Sequence, residues 1–208
     1  PDANIRLRTA IQRAKAASMP GDSIEKAILR GTGQLPGMVF EEVMYEGYAP
    51  GGVAVVIECL TDSRNRTTAS LRNIFSKGGG NLAASGAVAF QFERKGVITV
   101  PASRYPEDML LEKALEAGAD DVEQDGESFE IRTDAAQLHA IAEALKKAGI
   151  EHESAEIVML PNSYISPDLA AARSVMKLVA TIEDDDDVQN VYHNCELMPE
   201  LLKELEDE

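Results

Sequence analysis

Tryptophan is absent from the 208 residues, cysteine occurs twice and histidine three times. The two cysteines, Cys59 and Cys195, form neither a Cys-x-x-Cys pair nor a disulfide framework, which fits a reducing cytosol. His139, His152 and His193 are scattered without zinc-ligand spacing. No apolar run approaches the roughly 18 residues of a membrane span, and no basic-then-apolar leader opens the chain. There is no Gly-x-Ser-x-Gly elbow, and no basic residue or histidine adjoins either cysteine, so no local motif points to catalysis. These absences predict a soluble cytoplasmic protein with no membrane contact, no bound metal and no cofactor. Because residue 1 is Pro rather than Met, the chain is expected to be the remainder of a longer product.

Aliphatic residues and acid are what the sequence does contain. Hydrophobic residues make up 44% of the chain, and Leu, Ile, Val and Ala recur throughout, which excludes global disorder. The formal charge is −16. A mean of that sign argues against phosphate binding, which depends on Lys and Arg. The mean hides a gradient, however: +3 over 1–35, −1 over 36–94, and −9 over each of 95–161 and 162–208. Any polyanion must therefore approach the N-terminal side.

Hydrophobic periodicity organises the chain. Ile5, Leu7, Ala10, Ile11 and Ala14 predict a helix over 3–18 capped by Asp2, with Arg6, Arg8, Arg13 and Lys15 flanking its apolar stripe. Pro20-Gly21 breaks it, and a second helix opens with a capping box at Asp22 and Glu25 and ends at Gly31. These two helices (1–37) cannot bury both apolar faces alone and read as part of a small basic helical unit. Beyond the glycine-rich linker the period becomes two. Strands over 39–45 and 53–60, a helix over 65–77 and an alternation of Val88, Phe90 and Phe92 give β-β-α-β, short of one helix and one strand.

Residues 95–161 read as β-α-β-β-α-β, the order of ferredoxin-like domains: strand 96–100, helix 107–117, strands near 122–125 and 128–133, helix 134–147 and strand 155–160. A helix started by Ser166-Pro167 and a strand over 188–195 then supply the missing pieces. The predicted organisation is a discontinuous α+β unit (38–94 with 162–208) into which an acidic unit (95–161) is inserted.

Three charged or glycine-rich stretches compete as functional motifs. The Gly78–Gly80 run follows a helix rather than preceding one and lacks Gly-Lys-Ser/Thr, so it reads as a helix end, not a phosphate loop. Glu183–Asp187 lacks the alternation of a calcium loop and reads as a solvated connection, as does the acidic tail 204–208. Residues 63–77 are different: Arg64, Arg66, Arg72 and Lys77 occur there without a single acid. Charge alone leaves a solvated helix face and an anion-contact surface equally open. Arg64, Asn65 and Arg66 at a helix start offer forked and amide donors to phosphates or base edges.

The same residues carry a resemblance. Tyr45-Glu46-Gly47-Tyr48-Ala49-Pro50-Gly51-Gly52, Glu58-Cys59-Leu60-Thr61-Asp62-Ser63-Arg64-Asn65-Arg66-Thr67, Phe75-Ser76-Lys77-Gly78-Gly79-Gly80-Asn81-Leu82 and Gly86-Ala87-Val88-Ala89-Phe90-Gln91-Phe92 resemble the YebC/PmpR family, and the likeness runs end to end. It implies a small N-terminal helical domain plus two ferredoxin-like α+β domains, one inserted in the other. It also implies a transcriptional regulator that binds DNA, or, by likeness to a mitochondrial translational activator, a ribosome-associated factor that binds ribosomal RNA. The nucleic-acid contacts expected are Arg6, Arg8, Arg13 and Lys15, and then Arg64, Asn65, Arg66, Arg72 and Lys77, with the acidic face left for a protein partner. Reversing Arg64 and Arg66 to Glu is expected to abolish binding while leaving the thermal midpoint nearly unchanged.

Overall fold

The structure, a computed structural model, describes residues 5–32 and 39–196. Asp2 as a helix cap, the linker 33–37 and the tail 204–208 lie outside the described residues.

The two N-terminal helices form as the periodicity requires: α1 spans Ile5–Ala16 and α2 Gly21–Gly31. The capping box at Asp22 and Glu25 is not made. Helix α2 starts one residue early, with the N–H groups of Ser23 and Ile24 donating to the Pro20 carbonyl. Asp22 thus lies inside the first turn, where its charge faces the positive end of the helix dipole.

The first sheet is built from β1 (Glu41–Tyr48), β2 (Ala54–Thr61), β3 (Asn81–Leu82) and β8 (Val188–His193), all antiparallel, in the order β3-β1-β2-β8. A hairpin turned by Pro50–Gly52 therefore occupies its centre. Val55, Ile57 and Cys59 alternate onto the face covered by α3 (Arg64–Lys77) and α6 (Leu169–Glu183), where they meet Leu71, Phe75, Val175, Leu178 and Ile182. Helix α6 is capped by Asp168, whose side chain accepts the Ala171 N–H, so it begins two residues beyond the expected Ser166-Pro167.

The expected strand through Val88, Phe90 and Phe92 does not form. Residues 89–91 make a 3-10 turn, and the third strand is the short β3 upstream. The reason is Glu46, whose carboxylate accepts the N–H groups of Gly86, Val88 and Ala89 at 2.6, 2.7 and 2.8 Å and so removes donors a ladder would need.

The second sheet comprises β4 (Phe92–Pro101), β5 (Asp121–Asp125), β6 (Ser128–Asp134) and β7 (Ser154–Pro161) in the order β5-β6-β4-β7, with α4 (Glu107–Ala117) and α5 (Leu138–Lys147) packed on one face. This is the split βαβ arrangement the sequence predicts for 95–161. Helix α5 starts at Leu138 rather than 134, because Asp134 turns its carboxylate onto the Ala136 N–H. Strand β4 opens at Phe92, so Phe92–Arg94 belong to the second sheet rather than to the unit expected to end at 94. The two chain crossings lie side by side, with Phe92 registered against Pro161. Across this neck a small core of Ala54, Val56, Val88 and Phe92 joins the sheets.

The Gly78–Gly80 run ends α3, as its position predicts. Two of its N–H groups are spent inside the turn: Gly78 donates to the Ile74 carbonyl and Gly80 to the Phe75 carbonyl. A side chain at Gly80 would place its Cβ 2.6 Å from the Tyr48 carbonyl oxygen, which is fixed in β1. Gly80→Ala is expected to cost about 1–3 kcal/mol, read as a lower midpoint in urea unfolding.

Candidate nucleic-acid interface

Helix α3 buries one stripe and presents another. Thr67, Leu71 and Phe75 pack onto the first sheet, leaving Asn65, Ala69, Arg72, Asn73, Ser76 and Lys77 on the exposed side. That stripe carries bases and neutral polar groups and no acid, in a protein with 36 acidic residues.

The two ends of the helix have different chemistry. At its N-terminal end Arg66 grips Asp187 with both carboxylate oxygens, at 2.7 and 2.8 Å, and reaches Asp62 at 2.8 Å. Asp187 is buried and also accepts the hydroxyls of Thr67 at 2.7 Å and Thr61 at 3.2 Å. Burial pushes the Asp187 carboxyl up, but Arg66 and the two threonines outweigh it and hold the group below the usual carboxylate range. Asp185 accepts the Ser70 hydroxyl at 2.5 Å.

The acid run 183–187 is therefore not merely solvated. Two of its members tie the α6–β8 loop to α3. Arg66 cannot be reversed at no cost to stability either, since its removal strands a buried carboxylate. Arg64 is 60% exposed at its side chain and pairs with Glu41 at 3.2 Å. Toward the other end, Arg72 and Lys77 are exposed and, among the described residues, form no ion pair.

The α1 bases lie elsewhere. Arg8 and Lys15 are exposed, whereas the side chains of Arg6 and Arg13 lie outside the described residues. Helix α1 enters, at Ala10, a cleft of about 1040 Å³ between Met44, Glu58 and Leu60 of the first sheet and Ile157 and Met159 of β7. Met44, Glu58 and Leu60 point away from α3, because Tyr45, Ile57 and Cys59 between them point toward it. Helix α1 at Ala10 thus borders the face of the first sheet opposite the one that α3 covers.

Two groups that shape the site escape sequence reasoning. Glu46 is 4% exposed and its carboxyl is also held low: burial raises it, but the backbone N–H groups of Gly86, Val88 and Ala89 outweigh that. Nothing local distinguishes it from its solvated neighbours. Asp187 is hidden among four other acids.

Among the described residues no cluster of three or more His, Cys, Asp or Glu is placed to hold a metal ion. The Cys59 thiol is pushed up to about 12 by burial and by Asp185 and Asp187, so at neutral pH it is not a nucleophile. No described helix is long and apolar enough to cross a membrane.

Comparison with known proteins agrees along the whole chain. Residues 1–34 match the TACO1/YebC protein N-terminal domain, and residues 40–195 match the TACO1/YebC second and third domain. A probable transcriptional regulatory protein of Persephonella marina is 52% identical over 207 residues, covering 99% of this chain and 83% of that protein. One from Chlorobaculum tepidum is 47% identical over 209 residues, covering 100% and 83%. The crystal structure of a conserved hypothetical protein from Aquifex aeolicus, 50% identical, superposes with a TM-score of 0.85 over 97% of this chain and 84% of its own.

The Asp187 cluster predicts an acid-sensitive fold. A carboxyl held low in the folded state contributes stability that is complete above its unfolded pKa of about 4 and is lost as pH falls through the folded value. Asp187→Ala is expected to cost about 1–3 kcal/mol at neutral pH, since it removes the acceptor of the buried Thr61 hydroxyl and the carboxylate that Arg66 grips. In thermal melts at decreasing pH, the gap between Asp187→Asn and the parent protein should narrow below about pH 4. A constant gap would show that the charge of Asp187 does not matter.

Proposed function

Because the chain belongs to the TACO1/YebC family of regulators, we propose that it regulates gene expression by binding nucleic acid, as a non-enzymatic cytoplasmic factor. One observation carries this reading: the exposed stripe of α3, with Arg72 and Lys77 free of carboxylates among the described residues, lies in an acid-free stretch of a protein with charge −16. Phosphates bind where lysine and arginine are not already neutralised. Arg72 and Lys77, with the amides of Asn65 and Asn73, form the primary contact. Arg64 contributes secondarily because Glu41 shares its charge, and Arg66 serves mainly to position the helix.

The α1 bases Arg6, Arg8, Arg13 and Lys15 provide a second contact. The acidic 95–161 unit repels the polymer and so sets its direction across the protein, leaving that face to a protein partner.

Relatives that are probable transcriptional regulatory proteins favour DNA as the target. A second reading, ribosomal RNA, is favoured by the seating of α3. The helix is buried along its length by Thr67, Leu71 and Phe75, so it offers a shallow surface, and the wide minor groove of RNA accepts such surfaces.

Both readings make the same electrostatic prediction. Arg72→Glu with Lys77→Glu should weaken binding to every sequence and lower the slope of log K against log salt by about two, one for each lost phosphate contact. Fluorescence anisotropy over a salt series measures this, and an unchanged slope would remove α3 from the interface. Co-sedimentation with ribosomes then separates the two targets, because a DNA regulator stays at the top of the gradient.

A further inference from the structure

Helices α3 and α6 lie side by side on one face of the first sheet, and two contacts fix how they run. The Ser70 hydroxyl of α3 donates to Asp185, just beyond the C-terminal end of α6. Where α3 ends, Leu178 of α6 sits against Gly78: a Cβ on that glycine would stand 2.7 Å from the Leu178 Cδ1 and 3.3 Å from its Cβ. The two helices are therefore antiparallel, and the glycine lets them meet closely at this end. Helical spacing assigns the side chains that border the seam. Asn73 and Lys77 lie three and seven residues beyond Ser70 and share its side of α3. On α6, Ser174, Lys177 and Thr181 keep the same spacing, and a step of four from Thr181 reaches Asp185. All five are exposed. Lys77 and Lys177 thus adjoin the two residues in contact, Gly78 and Leu178, along one rim of the seam.

Charge divides the seam into two unlike ends. Residues 169–182 hold Arg173 and Lys177 and no acid, and residues 63–92 hold four bases and no acid. Lys177 forms no ion pair among the described residues. Where α6 gives way to the loop before β8, Glu183, Asp184 and Asp186 are exposed instead. Arg66 of α3 adds no free charge at that end, because Asp187 and Asp62 already hold it. Such a field repels a polyanion from one end of the helix pair and draws it to the other.

We propose that Lys177 is a further phosphate contact, so that the bound polyanion crosses from α3 to α6 at the Lys77–Lys177 end of the seam. Glu183, Asp184 and Asp186 close the opposite end to it. The inference rests on the nucleic-acid reading above and adds α6 to its surface.

The test is fluorescence anisotropy of the full chain with a labelled DNA duplex and a labelled RNA hairpin over a salt series. Lys177→Glu should lower the slope of log K against log salt by about one, and Lys177→Arg should leave it unchanged. Lys147→Glu on α5 is the control. It reverses an exposed base of the acidic unit and shifts the net charge by the same amount, so its slope should match the parent's. The Lys177 side chain is exposed, so the melting midpoint should not move. A parent-like slope in Lys177→Glu, beside a lowered slope in Arg72→Glu/Lys77→Glu, would overturn the α6 contact and leave the nucleic-acid reading intact. Equal losses in Lys177→Glu and Lys147→Glu would also overturn it, because net charge rather than position would then govern binding. If the parent protein binds neither probe at any salt, both readings fall.

Discussion

Strand β8 is held to β2 at both ends by buried polar side chains, and the first sheet depends on those two clamps. At one end the Asp187 carbonyl accepts the Leu60 N–H, while its carboxylate gathers Thr61, Thr67 and Arg66. At the other end Asn194, fully buried, accepts the Ala54 N–H through its side chain at 2.8 Å and gives its own N–H to the Ala54 carbonyl at 3.2 Å. The strand returns to β2 only after a second sheet and its two helices have been made. Apolar burial alone would tolerate a slipped register, since Val188 and Val191 are both partly buried hydrophobics packed against that core. Unsatisfied buried polar groups would not tolerate it, because each lost partner exacts a full desolvation penalty.

That requirement explains why an otherwise attractive basic residue is unavailable to a ligand. Arg66 lies beside Arg64 and Asn65 at a helix start, the place where a phosphate would be welcome. Its guanidinium is instead drawn onto Asp187, whose charge would otherwise be buried without a counterion. In the proposed interface the phosphate contacts therefore fall to Arg72 and Lys77, farther along the helix, where no carboxylate competes among the described residues. The folded structure commits one base of this short run to holding the sheet and leaves Arg72 and Lys77 exposed.

Much of the second sheet was legible because its signals are local. Helix α4 lies at 107–117 as read, bounded by Pro106 before it and by Gly118 after it, where a positive φ of 97° ends the helix. The first sheet was harder for reasons equally specific. Val88, Phe90 and Phe92 alternate like a strand, yet the donors of that stretch are taken by Glu46, which lies 42 residues from Val88. The basic character of α3 could be read directly, but the pairing of each base could not. Arg66 meets Asp187 across 121 residues of sequence, and only the closed sheet shows which arginine is already occupied.

The neck joins these threads. Its two crossings are pinned together by Asn162, Gln91 and Asn194, the last two side chains hydrogen-bonded to each other at 3.3 Å. The same pinning that stops one sheet from swinging freely on the other also fixes the directions of Phe90 and Tyr164. The turn through 86–92 reaches this joint on the face of the first sheet opposite α3, because Glu46 and Tyr48, which hold it, alternate with Tyr45 and Gly47 along β1.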